Sequence, residues 1–125
     1  MALRLALPHI ELYFDGSTDG LNTGKGGAAA VIYAQFRDNI RRLDQQLVAS
    51  VSNTMGTVGN NCAEYYGLIL GLREMLHCLA LDLHILGNSE HVIKQLKGVY
   101  RVQNEVLKSY HLVAKGLLST CADSW

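Results

Sequence analysis

The sequence carries no net charge, no long apolar run, and no cysteine spacing that suggests a metal site or a disulfide framework. Each absence weighs against a class of function. Lys plus Arg balance Asp plus Glu at 11 each, so the basic bias usual in nucleic-acid binders is missing. No apolar segment approaches the roughly 20 residues that a membrane helix needs, so no membrane partner is expected. The start, Met1 to Pro8, is too short for the apolar core of a signal peptide, and the expected location is cytoplasmic or nuclear, not secreted. Cys62, Cys78 and Cys121 are odd in number and read as reduced thiols. No repeat or low-complexity linker divides the 125 residues, which suit one domain with one core. Hydrophobic residues at 49% and charged residues at 18% fit a globular chain, not a disordered one.

What is present is an ordered change of period. Residues 10–15 alternate, with Ile10, Leu12 and Phe14 on one face and Glu11 and Tyr13 on the other, which is a strand pattern. Gly16, Gly20, Gly24, Gly26 and Gly27 then mark a long turn. Ala28 to Phe36 reads as a buried strand, Asp38–Asn39 as a tight turn, and Leu43 to Ser52 as a third strand. From Asn61 to Leu79 the period becomes helical, with Leu68, Leu72, Met75 and Leu79 as the stripe and Asn60 or Asn61 as the cap. Glu64, Gly67 and Gly71 share one face of that helix. Each glycine costs about 1 kcal/mol of helix propensity, which makes sense where that face lies close against a sheet. Leu81 to Leu86 is a short strand. Ser89 to Leu96 is a helix capped by Ser89 and ended by Gly98, and Asn104 to Leu118 is another, with Val106, Tyr110, Val113 and Leu117 as its buried stripe. A helix between the third and fourth strands makes the fourth parallel to an earlier one.

Chemistry enters at the ends of these elements. Asp15 closes the first strand, and Glu64 faces the sheet from the long helix. Two carboxylates that converge offer hard oxygen ligands suited to Mg²⁺, and such ions can drive phosphodiester hydrolysis. By pattern alone, Asp15–Gly16 reads equally as a turn after a strand, and Glu64 as a charge at a helix N-terminus. His77, His84 and His91 show no paired ligand spacing and read as structural or surface groups. Cys62 reads as a small packing residue. The glycines after Asp15 fit neither nucleotide-binding fingerprint.

Four strings occur in order: Tyr13-Phe14-Asp15-Gly16-Ser17, Gly27-Ala28-Ala29-Ala30-Val31-Ile32, Asn60-Asn61-Cys62-Ala63-Glu64-Tyr65, and Gly87-Asn88-Ser89 running on to Leu96. Together they resemble the type 1 ribonuclease H domain over residues 10–118. The resemblance implies an α/β fold with a ribonuclease H-like mixed sheet of five strands and helices on both faces. Here four strands are expected, in the order 3-2-1-4. Residues 1–9 would be an extension and 119–125 a tail. Asp15 and Glu64 match metal-binding carboxylates of the family, and Asn88 stands where the family has a third. The fourth family carboxylate lies on a last helix, after a fifth strand, beyond Trp125.

On that resemblance the chain is an impaired relative of RNA–DNA hybrid endoribonucleases. It would hold Mg²⁺ or Mn²⁺ weakly at Asp15 and Glu64 and still contact nucleic acid. Gly16, Ser17, Asn60, Asn61 and Ser89 match backbone-contacting positions, and Lys94, Lys97, Arg101 and Lys108 put positive charge on the later helices. Lys97 to Val102 leaves no room for a basic loop, so affinity would be low. An active Mg²⁺-dependent ribonuclease H and a protein-interaction module reusing the fold are the alternatives. Without a fifth strand, the fourth strand becomes an apolar sheet edge, and a homodimer through it is expected.

Overall fold

A computed structural model describes residues 5–18, 25–37, 43–122 and 124–125. Gly20, Gly24 and the turn expected at Asp38–Asn39 lie outside the described residues. The chain runs β1 (Leu5–Thr18), β2 (Lys25–Arg37), β3 (Leu43–Thr57), α1 (Asn60–Glu74), a single 3-10 turn at Met75–His77, β4 (Cys78–Leu86), α2 (Glu90–Leu96) and α3 (Glu105–Cys121). The four strands form one sheet in the order β3-β2-β1-β4, as expected. β1 to β3 are an antiparallel meander, and β4 lies parallel to β1.

Alternation in β1 decides the faces. Ile10, Leu12 and Phe14 are buried, while Tyr13 is 41% exposed. From β2, Ala30, Ile32 and Ala34 join them, and from α1, Tyr65, Leu68, Ile69, Leu72 and Met75 close the layer. Val92 and Leu96 of α2 and Ala114 and Leu118 of α3 enter the same cluster. Residues of all three helices therefore share one core with the sheet.

Several elements differ from the sequence pattern, and two of the shifted boundaries share a cause. β1 begins at Leu5, inside the expected extension, because Leu5 pairs with Cys78 and Leu7 with Ala80. The same pairing ends α1 at Glu74 and draws Leu79 into β4, although its spacing continues the helical stripe. Backbone partners available on β1 override a helical period. Another difference is in α3. Its buried residues are Ala114, Leu118 and Cys121, whereas Val106 is 57% and Val113 is 45% exposed. Tyr110 and Leu117 of the expected stripe pack half-buried against the core, whereas Val106 and Val113 lie outside it, so the buried face is centred on Ala114, Leu118 and Cys121 beside them.

The helix ends follow local chemistry. Gly59 is the N-cap of α1 and makes no side-chain cap bond, so neither Asn60 nor Asn61 caps it. The Oγ of Ser89 accepts from the Val92 N–H at 3.2 Å. Oδ1 of Asn104 accepts from the N–H of Val106 at 2.8 Å and of Leu107 at 3.2 Å. Gly98 follows α2 at φ 78°, a left-handed conformation that suits glycine.

The β4 edge is covered over part of its length by the chain's own end. Ala122 makes a parallel bridge to Ala80, and the Leu83 N–H donates to the Ser124 carbonyl at 2.8 Å. Lys97 Nζ donates to the Trp125 carbonyl at 3.0 Å and lies 4.2 Å above its indole ring. The uncovered edge on which a homodimer was expected is occupied along that stretch.

A buried polar network ties the three helices together. The Tyr65 hydroxyl donates to Gln95 Oε1 at 2.6 Å and lies 3.3 Å from His111 Nδ1. Burial pushes the Tyr65 phenol up to about 12. Burial, and then the nearby Lys115 charge, hold the His111 imidazole below its ordinary range. A folded-state pKa that is depressed means the unfolded chain takes up the proton first. The His111 contribution is thus present above the ordinary histidine value of about 6.5 and is lost as pH falls through the lower folded-state value. The melting temperature is expected to drop on acidification through this window, and His111→Gln to flatten the drop in thermal scans at several pH values. Tyr65→Phe, which leaves Gln95 without its buried donor, is expected to cost about 1–3 kcal/mol in denaturant unfolding.

Candidate active site

Three glycines without side chains bring three elements to one point. A Cβ at Gly16 would overlap the Ala63 carbonyl and the Glu64 backbone nitrogen. One at Gly67 would lie 2.5 Å from the Asp15 carbonyl oxygen and 3.0 Å from that of Ala29. One at Gly87 would lie 2.7 Å from the Phe14 ring. The first two seat α1 on the end of β1, and the third seats the end of β4 beside it. Gly71 continues the contact, with a Cβ there 2.8 Å from the Ala30 Cβ. The glycine face of α1 therefore does lie against the sheet.

This packing brings the expected carboxylate positions together. Asp15 is exposed at the top of β1, opposite Ala29, and its Oδ1 accepts from the Gly16 N–H at 2.9 Å. Glu64 is half-buried on α1, immediately after the residue that touches Gly16. The parallel register ends with Tyr13 opposite Leu86, so Asp15 and Asn88 each stand two residues beyond the last pair. Asn88 is exposed. Two carboxylates and an amide fit a hard divalent cation in donor type but with one negative charge fewer than three carboxylates would supply.

An open groove of about 500 Å³ begins at Asp15 and runs over Ser17, Gly27, Ala29, Ser52 and Asn53. Ser17 and Lys25 line its continuation. Next to Ser17, the Thr18 hydroxyl donates to Asn60 Oδ1 at 2.5 Å, tying the end of β1 to the start of α1. Asn53 donates to the Tyr66 hydroxyl at 2.9 Å, tying β3 to α1 below the groove.

The other expected contact residues divide into two groups. Asn61 and Arg101 line a second groove of about 520 Å³, together with His91, Tyr100 and Gln103. Lys94, Lys97 and Ser89 are engaged within the chain. Lys94 pairs with Glu90 at 2.5 Å and sits over the Tyr100 ring. That hydrogen bond raises the Lys94 ammonium above its ordinary range and lowers the Glu90 carboxyl. Lys97 clamps Trp125, and Ser89 is buried as a helix cap. Gly16 is a packing contact first, because it lies against the α1 backbone. Cys62 is buried, which pushes its thiol up and keeps it protonated, as a packing residue requires.

A family model described as reverse transcriptase-like matches residues 13–123. The chain belongs to the reverse transcriptase-like family. This reverse transcriptase-like domain is 31% identical over 116 residues to the ribonuclease HI of Halobacterium salinarum, covering 93% of this chain and 53% of that protein. It is 30% identical over 105 residues to a bifunctional protein of Mycobacterium tuberculosis, covering 84% of this chain and 27% of that protein. The domain thus spans about half or less of the length of the curated relatives it matches.

Solved structures agree on the fold. The crystal structure of the Halobacterium salinarum ribonuclease H1 superposes with a TM-score of 0.78 at 30% identity, covering 94% of this chain and 81% of that one. A ribonuclease H1 crystallised with an RNA/DNA hybrid gives a TM-score of 0.74 at 25% identity, covering 93% and 83%. The reverse transcriptase-like domain therefore has a ribonuclease H-like fold and is related to ribonuclease HI.

Because α1 meets backbone at Gly67, no side-chain motion can make room for a methyl there. Gly67→Ala is expected to destabilise the domain by about 1–3 kcal/mol through overpacking. Urea unfolding measures the loss, and an unchanged midpoint would mean that the helix is not seated on Asp15.

Proposed function

We propose that this domain binds RNA–DNA hybrid, or a nucleic acid of similar shape, along the groove at Asp15 and is a poor hydrolase. The observation that carries the reading is Asn88, an amide two residues past the end of β4, where Asp15 and Glu64 are brought together. Mg²⁺ or Mn²⁺ would be held by Asp15 and Glu64, and when bound would activate water and offset charge on the leaving oxygen. With one negative charge fewer, the ion is held weakly, and the rate falls by orders of magnitude. The hybrid bound to a ribonuclease H1 of the same fold supports the choice of ligand.

Binding is expected to be weak. Of the four cations expected on the later helices, Lys94, Lys97 and Lys108 are already paired within the chain, and Arg101 lines a groove with Asn61. Few phosphates are neutralised, so affinity depends only shallowly on salt.

A second reading, a protein-contact module reusing the fold, draws on Val106, Leu112 and Val113, which are all exposed on α3.

One experiment separates these readings. Labelled RNA–DNA hybrid is incubated with the protein and Mg²⁺ or Mn²⁺, and binding and cleavage are followed together. Saturable binding with little cleavage is expected, and Arg101→Ala should weaken binding and reduce the salt slope by about 1. Asn88→Asp should raise cleavage by about 100-fold or more. Efficient cleavage by the native chain that Asp15→Asn abolishes would overturn the impaired reading. Absence of binding at low salt would leave the protein-contact module.

A further inference from the structure

On the sheet face opposite Ile10 and Leu12, β1 and β4 bring His9, Asp82 and His84 together. His9 Nδ1 lies 3.0 Å from Asp82 Oδ2, and His84 Nε2 lies 3.4 Å from the same oxygen. The two imidazole rings meet edge to face with centroids 4.5 Å apart. One ligand atom from each residue falls within 4.8 Å of the other two, and no other such group of three occurs among the described residues. The parallel register sets His9 opposite Asp82, and Asp82 and His84 are two apart on one strand and so share a face.

We propose that His9, Asp82 and His84 hold a divalent transition-metal ion of the Zn²⁺ class. Zn²⁺ is bound by imidazole nitrogen and carboxylate oxygen at about 2.0–2.1 Å, which puts ligand atoms of a tetrahedral site about 3.4 Å apart. The two separations to Asp82 Oδ2 fall at that value or just below it, and the two imidazole nitrogens lie within 4.8 Å of each other, so side-chain adjustment brings all three to the ion. Two imidazoles and one carboxylate leave a coordination position open, and all three side chains are partly exposed, which gives the ion a path in.

The donor set also sets the site apart from Asp15 and Glu64. Imidazole favours Zn²⁺ and its neighbours, whereas Mg²⁺ favours oxygen alone. His9 stands six residues before Asp15 on β1, about 20 Å away along an extended strand. The ion would cross-link β1 to β4, the two strands whose far ends lead to Asp15 and Asn88. It would be a clamp on the sheet and not part of the acidic site.

The test is calorimetric titration of the full chain with Zn²⁺ alone, paired with thermal melting. One saturable site is expected, with a melting temperature that rises with Zn²⁺ and is unmoved through this site by Mg²⁺. His84→Ala and Asp82→Asn should each weaken Zn²⁺ binding by about tenfold or more, and Asp15→Asn should bind as the native chain does. Imidazole NMR signals of the native chain give a readout without substitution. Those of His9 and His84 should shift on Zn²⁺ addition, while those of His91 and His111 should not. No saturable site, native affinity in a folded His9→Ala/His84→Ala variant, loss of binding in Asp15→Asn, or unshifted His9 and His84 signals would each overturn the proposal.

Discussion

The contact on which the rest of the arrangement depends is the one between α1 and the end of β1, made backbone to backbone. Gly16 presses on Ala63 and Glu64, and Gly67 presses on the Asp15 carbonyl. Side chains at these points would hold the helix off the sheet. With none, the helix settles close enough for Glu64 to meet the Asp15 end of the strand, and for Tyr65, Leu68 and Leu72 to reach the sheet's apolar face. The helix propensity forgone at Gly67 and Gly71 is recovered as packing.

Much of this was legible in the sequence. Period two in residues 10–15 gave the buried face of β1 correctly, and the shared helical face of Glu64, Gly67 and Gly71 pointed to the close approach that the structure contains. The parallel direction of the fourth strand followed from a helix inserted before it, and the order of the four strands from the family resemblance. Less was legible where two segments depend on each other. The early half of β1 and the first residues of β4 are strands because each supplies the other's backbone partners, and neither has a strong local pattern. On α3 the expected Tyr110 and Leu117 do pack against the core, but the small Ala114 and Cys121 are buried more fully than Val106 and Val113, which ranking by hydrophobic bulk does not anticipate.

The candidate site divides in the same way. Asp15, Glu64 and Asn88 are marked by strings that resemble the family's, and glycine packing sets α1 at Glu64 against the end of β1 that carries Asp15. Surface cations carry no such constraint. Nothing in the sequence distinguishes Arg101, which lines a groove, from Lys97, whose partner Trp125 becomes adjacent only in the folded chain. His9 and Asp82 are likewise far apart in sequence and adjacent through the ladder. The one local signal was the spacing of Asp82 and His84 by two residues, which on a strand means one face.

The three glycines have an implication for how this site can change over generations. Its shape is held by residues with no side chain at all, whereas its charge is held by exposed or half-buried groups that contribute little to the core. Asn88 is exposed, so an acid and its amide are sterically interchangeable there. The shape of the cleft and the charge at its rim thus rest on different residues, and a single surface substitution can alter the charge with little effect on the packing that forms the cleft.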